Sequence, residues 1–343
     1  MKGVIIALII FGVLFVLLLG LYLFMAYLLN KYFSRLDFVK PSPFISYDDV
    51  KDKLSRSEYS FKSGNNTLKA YLYKGKKEDD LVVYVHGMCE GHQGYMSDIM
   101  SLVNRGYNVF AYDFTATGES EGKHYSGLDQ QRYDLASCLK YLKQNNLLGY
   151  KNIYLYGHSM GGYAVAVNND KIIKAKVSIS GFNDHIGELM ANMSKEKDKT
   201  MAFIVSLFLR YKYFIDRGID YNLKASNSLK KAKCATLVIH GANDDIVPLK
   251  ESIISKKGKI NNELVEYKLM EDENHSSHNS VIASTDCVMY QKERQKIFDE
   301  ALKTGKTKAE ARSLMIKDID IFKFNQANEE LMDVIDKFFE SHK

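Results

Sequence analysis

The sequence predicts an α/β fold: a mostly parallel, doubly wound sheet with a helical cap insertion, preceded by one transmembrane helix. Three observations lead there. From Leu81 onward, β-prone runs alternate with segments whose apolar residues fall at helical spacing. One such run, Lys151-Asn152-Ile153-Tyr154-Leu155-Tyr156, leads directly into Gly157-His158-Ser159-Met160-Gly161-Gly162 and a short helix-compatible stretch. At the other end of the chain, Val4 to Leu29 carries no charge.

At 343 residues the chain is long enough for one extended domain with insertions. The formal net charge of +5 is modest, with both signs interspersed and no basic stripe, so no nucleic-acid partner is expected. The four cysteines, Cys89, Cys138, Cys234 and Cys287, lie far apart without a C-x-x-C pair. That spacing implies neither a zinc site nor a disulfide framework, and it leans towards a reducing compartment.

Taken in order, residues 1–30 are expected to form a single-pass membrane anchor. The uncharged run is long enough to cross a hydrocarbon core of about 30 Å as a helix. It exceeds the apolar region of a cleaved signal, about 7–15 residues, and no A-x-A site follows it. Lys2 flanks one side and Lys31, Arg35 and Lys40 the other, a bias that leans towards a cytoplasmic C-terminal domain. Residues 31–57 are expected to be a linker, since Pro41-Ser42-Pro43 breaks any helix there. Residues 58–343 are the globular domain. It starts with a hairpin, Tyr59–Lys62 and Thr67–Tyr73 joined through Ser63-Gly64-Asn65-Asn66. Strands are then expected at Leu81–Val85, Tyr107–Tyr112, Lys151–Tyr156, Ala175–Ser180, Ala235–His240 and Leu264–Leu269, with a helix over Tyr133–Leu142. The continuous Leu81–Val85 run suits a strand covered on both faces. A cap insertion is expected at about 182–230 and a second helical insertion at about 279–325. An amphipathic helix over Glu329–Phe339 closes the chain.

In such a sheet, ligands bind beyond the carboxyl ends of the strands. The chemistry-bearing residues fall there: His86-Gly87-Met88, Asp113, Ser159, Asp244 and, after the last strand, His275. Gly157-His158-Ser159-Met160-Gly161 reads G-x-S-x-G. A strand, a sharp turn and a helix around it would present the Ser159 hydroxyl on a strained turn whose neighbours must lack bulk. The order Ser159, Asp244, His275 is one in which a serine nucleophile, an orienting acid and a base occur in serine hydrolases.

From about Tyr59 to the end, the chain resembles the α/β-hydrolase superfamily, and within it monoacylglycerol-lipase-like and serine-aminopeptidase-like hydrolases. His86-Gly87-Met88-Cys89-Glu90-Gly91-His92 is similar to their H-G-x oxyanion loop. Asp113-Phe114-Thr115-Ala116-Thr117-Gly118-Glu119-Ser120 is similar to their D-x-x-G-x-G-x-S segment, with Ala116 in place of one glycine. Gly241-Ala242-Asn243-Asp244-Asp245-Ile246-Val247-Pro248 is similar to their G-x-x-D-x-x-V-P loop, which selects Asp244 over Asp245. Asn274-His275 stands where G-H is usual. Of the two histidines His275 is favoured over His278, because it comes sooner after the strand.

The resemblance implies Ser159 as nucleophile, His275 as base and Asp244 as its orienting acid. It also implies an oxyanion hole made by the backbone N–H groups of Met88 and Met160. No metal or cofactor is called for. Asn274-His275-Ser276 is also a glycosylation sequon, and a glycan there would obstruct the site, a further lean away from a glycosylating compartment. In the cap, Phe203, Leu207 and Phe208 are the expected lining of an acyl pocket, a role weighed against packing on the core or contact with the bilayer. Together these readings imply a membrane-anchored serine hydrolase of carboxylic esters, lipid or acylglycerol esters included. A peptidase or amidase on the same scaffold and a non-catalytic binding member are the alternatives. Oligomeric state does not follow from the residues.

Overall fold

In the computed structural model, which describes residues 1–38, 41–196 and 199–343, the chain begins with α1 (Lys2–Tyr32), a single helix long and apolar enough to cross a membrane. Lys40, one of the flanking charges, lies outside the described residues. The side chains of α1 from Val4 to Leu19 are largely exposed, whereas Met25 and Leu29, with Phe33 beyond the helix end, are buried in the domain core. The segment expected to be a linker is therefore packed. Ile45, Val50 and Leu54 are buried, and Arg35 donates to three carbonyls of the Gly118–Gly122 loop. No sequence pattern marks this packing, because short apolar residues between turns have no period to read.

β1 (Arg56–Ser63) and β2 (Asn66–Tyr73) form the expected antiparallel hairpin. Next come β3 (Asp80–Val85), α2 (Met96–Asn104), β4 (Asn108–Tyr112), α3 (Gln130–Gln144), β5 (Asn152–His158), α4 (Met160–Val167) and β6 (Ile173–Ile179). α5 (His185–Glu196), α6 (Lys199–Arg217) and α7 (Ala225–Leu229) occupy the region expected to be a cap. β7 (Ala235–Gly241), α8 (Lys257–Ile260) and β8 (Val265–Met270) complete the sheet. α9 (Thr285–Lys303), α10 (Lys308–Ile316) and α11 (Ile321–Phe324) occupy the region expected to be a second insertion, and α12 (Glu329–Glu340) follows.

The eight strands lie in the order β1-β2-β4-β3-β5-β6-β7-β8, with β3 to β8 parallel. Side-chain alternation along β3 explains the double winding. Leu81, Val83 and Val85 enter one core, shared with α3, α4 and the end of α1. Val82 and Tyr84 enter the other, shared with α2 and α12. A strand buried on both faces must be apolar throughout, hence the unbroken run in the sequence. The β3–β5 register sets Val85 opposite Gly157 and so brings the two strand ends to one edge.

Candidate active site

The turn after β5 is the tightest feature of that edge. Ser159 has φ +58° and ψ −118°, a conformation that L-residues rarely adopt. Its neighbours have no room for a side chain. A Cβ on Gly161 would come within 1.8 Å of the Val85 carbonyl oxygen, and one on Gly157 within 2.4 Å of the Gly161 oxygen. The strained turn is held by the Ser159 N–H bond to the Ile179 carbonyl, 2.8 Å, and by α4 starting at the next residue. Ser159 thus projects from the edge with a helix N-terminus beside it, where partial positive charge from unpaired N–H groups collects.

The Asp244 loop follows β7. Asp244 Oδ1 accepts the N–H groups of Ile246 (3.0 Å) and Val247 (2.7 Å), which orients Oδ2 towards the sheet edge. There Oδ2 accepts Nδ1–H of His278 at 2.7 Å, and His278 Nε2 lies 3.0 Å from Ser159 Oγ. Burial would raise the Asp244 pKa. The bond and charge of His278, the nearby His240 and the Val247 N–H outweigh it and hold the carboxyl below its usual range.

His278, and not His275, therefore occupies the position between acid and serine. His275 donates from Nδ1 to Asp272 Oδ1 at 2.8 Å and lies on a shallow cavity with Met270 and Leu331. The reason is the path of the loop after β8. It first turns on Asp272, which also accepts the His275 N–H, then runs beside the acid loop, where Asn243 N–H donates to the Ser276 carbonyl at 2.8 Å. Only two residues past that pairing does a side chain face Asp244. Proximity to the strand was the wrong guide, and the deciding contact, between Ser276 and Asn243, leaves no local pattern in the sequence.

Two further groups, His158 and Ser180, fix His278. The His278 carbonyl accepts Nε2–H of His158 at 3.0 Å, and Ser180 Oγ donates to the same oxygen at 3.3 Å. With its proton on Nε2, His158 accepts Tyr95 O–H at Nδ1, 2.9 Å. Burial, with a contribution from His278, pushes the His158 pKa down to about 3, so the ring is neutral and this bonding pattern holds.

The loop opposite the serine is built around Asp113, at the end of β4. Asp113 accepts the N–H groups of His92 (2.8 Å) and Glu119 (3.0 Å) and Nδ1–H of His92 (2.7 Å). Gly87 in this loop is so close to Ser159 that a Cβ there would lie 3.0 Å from the serine Cβ. Among the described residues, no acceptor takes the N–H of Met88 or of Met160. Cys89 donates its thiol to the Gly91 carbonyl at 3.0 Å, and burial drives its pKa far up, so it is a neutral thiol.

Comparison with known proteins agrees with this architecture. A family model described as serine aminopeptidase, S33, matches residues 76–189. The solved esterase Pf2001 of Pyrococcus furiosus aligns with a TM-score of 0.54 at 21% identity, covering 72% of this chain and 90% of that one. The chain has the α/β-hydrolase fold. Two relatives extend the likeness. A putative esterase/lipase 2 of Mycoplasma genitalium is 26% identical over 251 residues, 64% of this chain and 91% of that one. The lysophosphatidylserine lipase ABHD12 of Danio rerio is 23% identical over 180 residues, 49% of this chain and 44% of that one.

Within this α/β hydrolase, the missing glycine of the Asp113 segment has a structural answer: Ala116 adopts φ +63°, the left-handed conformation that a glycine would take without strain. The expected acyl-pocket residues are placed elsewhere. Phe203 and Leu207 point outward from α6, and Phe208 packs partly against the core that contains Met25 and Leu29. The sequence showed their apolar character but not which way the helix turns them. The cavity that does reach Met88, Cys89 and Tyr95 is walled by α9 and α10, through Cys287, Gln291 and Met315, by Phe324 of α11 and by Phe44.

Proposed function

We propose that this α/β hydrolase is a membrane-anchored serine esterase that cleaves carboxylic esters, lipid esters included, through an acyl-enzyme. The observation that carries the reading is the unbroken hydrogen-bonded relay from Asp244 through His278 to Ser159. A serine hydroxyl is a poor nucleophile at neutral pH and needs an adjacent base. Here His278 Nε2 takes the Ser159 proton as Oγ bonds to the ester carbonyl carbon. Asp244 fixes the histidine tautomer and stabilises the imidazolium. The negative charge that develops on the carbonyl oxygen is received by the N–H groups of Met88 and Met160. Collapse of the tetrahedral intermediate breaks the ester C–O bond, and His278 returns the proton to the departing alcohol. Water, deprotonated by the same histidine, then releases the acid and restores Ser159. α1 supports an anchored protein by its length and composition, and the esterase and lipase names of the relatives support ester substrates.

The test is a fluorophosphonate probe followed by paired substrate panels. Ser159 should be labelled, and Ser159→Ala should abolish labelling and turnover together. p-Nitrophenyl esters of increasing chain length should be cleaved, and amino-acid p-nitroanilides should not. Preferential cleavage of the anilides would replace esterase by peptidase. Absence of labelling in a folded protein would leave a binding scaffold.

A further inference from the structure

α6 carries its polarity in reverse. A helix on the surface of a soluble domain turns its apolar stripe inward. On α6 the outward positions Met201, Phe203, Ile204, Leu207, Phe214 and Ile215 are all apolar and between 40% and 64% exposed. Three charged residues of its second half, Lys212, Asp216 and Arg217, are tied up in protein contacts instead. Arg217 pairs with buried Asp129 at 2.9 Å, and Lys212 is buried and pairs with Asp216. Contiguous exposed apolar surface of this kind is rare on soluble monomers and marks contact with another apolar phase.

The neighbour of α6 identifies that phase. α6 packs against α1, and Tyr22 of α1 donates its O–H to Asp216 at 2.7 Å while Lys212 sits over its ring. Tyr22 is the first residue with a polar side chain after Lys2. The stretch before it, Val4 to Leu21, measures about 27 Å as a helix, close to the thickness of a bilayer hydrocarbon core, about 30 Å. Tyrosine is the residue type that collects at the edge of that core. The bond to Asp216 therefore holds the C-terminal half of α6 at the depth of the membrane boundary.

From this we infer that the outward face of α6 is an interfacial membrane-binding surface: it lies in the boundary of the same bilayer that α1 crosses, so the domain rests on the lipid and does not hang from a tether. A helix with one apolar face and its charges turned away is suited to that position. The bilayer takes precedence over a second copy or another protein as occupant, because the patch is joined to a helix whose own exposed apolar length calls for lipid. The inference rests on the anchor in the proposed reading and not on its chemistry.

The chain contains no tryptophan, so a single introduced one reports its own surroundings. Full-length Leu207→Trp, Phe15→Trp and Met289→Trp proteins are reconstituted into phosphatidylcholine vesicles with brominated acyl chains, and quenching by bromine and by aqueous acrylamide is compared. Phe15 lies within α1, and Met289 is an exposed apolar residue on α9. Leu207→Trp should be quenched by bromolipid to an extent close to Phe15→Trp, while Met289→Trp responds to acrylamide alone. Leu207→Trp matching Met289→Trp, with Phe15→Trp still quenched, overturns the inference and leaves the anchor intact. Leu207→Trp shielded from both quenchers points to a protein partner and also overturns it. Lack of bromolipid quenching in Phe15→Trp removes the anchor, and this inference with it. Thermal unfolding of each variant checks its fold, and Phe214→Trp replaces Leu207→Trp if that variant is unstable.

Discussion

Replacing Asp244 by asparagine isolates what the acid does for the base. Asp244 Oδ1 accepts two backbone N–H groups, from Ile246 and Val247, while Oδ2 accepts Nδ1–H of His278. In the asparagine side chain only one of these positions is an oxygen. The two loop N–H groups can be satisfied only if that oxygen takes the Oδ1 place, which directs the amide NH₂ at His278. A donor facing Nδ1 forces the ring to carry its proton on Nε2, the atom that must accept from Ser159. The base is thereby present, in position and in the wrong tautomer. In serine proteases the corresponding change lowers turnover about 10⁴-fold, roughly 5.4 kcal/mol of transition-state stabilisation. The expected outcome for Asp244→Asn is a loss of that order in kcat on p-nitrophenyl acetate, with KM and the unfolding midpoint little changed. Because the loop bonds persist with asparagine and are lost in Asp244→Ala, the alanine variant should also lose stability. A fall in kcat of less than about tenfold, against the full tautomer effect, would refute the reasoning, as would equal stability of the two variants.

Three further outcomes follow from the geometry. His278→Ala should be nearly as inactive as Ser159→Ala, because base and nucleophile act as a unit, whereas His275→Ala should retain most activity in the same esterase assay. Stability should fall with acid: burial lowers the pKa of His86 to about 4 and of His158 to about 3, so the unfolded chain takes up these protons first, from about pH 6.5 downward. Each such histidine adds a slope of up to about 1.4 kcal/mol per pH unit, full stability holding above that range; His158→Gln should flatten the slope measured by urea unfolding between these pH values. Removing residues 1–20 should leave a stable domain, but removing 1–36 strips out buried Met25, Leu29 and Phe33, at roughly 1.5–3 kcal/mol each, and should give an unfolded or aggregated product in thermal melts.

The sheet and its active edge were legible because each rests on local patterns. A strand covered on both faces needs an unbroken apolar run, and a nucleophile on a tight turn needs glycines where the backbone closes to 1.8 Å of what a side chain would occupy. Asp244 was legible for a similar reason: its oxygen caps the N–H groups two and three residues ahead, so acid and loop form one local unit. The base was not. Its identity depends on how the loop after β8 lies against the loop after β7, and any of several histidines satisfies the order in sequence. The orientation of α6 failed on different grounds. An apolar helical stripe can face an acyl pocket, the core or a bilayer, and nothing in α6 itself says that its other side, bearing Lys212 and Arg217, is the one that faces the protein. That information sits in the partners, Asp129 and Tyr22, far away in the chain.

The packed segment after α1 links that helix to the edge that carries Ser159 more directly than a linker would. Phe33 is buried, and Arg35 donates to the carbonyls of Gly118, Ser120 and Gly122. Leu36 exchanges backbone bonds with Ala116 and Gly118 at 3.0 and 3.1 Å. These residues belong to the loop that closes over Asp113, and Asp113 in turn holds His92 and Glu119 by their N–H groups. Gly91 and Gly118 both pack so tightly on the Asp113 carboxylate that a Cβ at either would fall within 2.7 Å of an oxygen. From the end of α1 to the turn that carries Met88 there is thus a run of direct contacts. The position of the turn that carries Met88 and the position of α1 are fixed against the same carboxylate. A truncation that ends before Met25 preserves this clamp, and one that passes Arg35 removes it at the point where it supports the site.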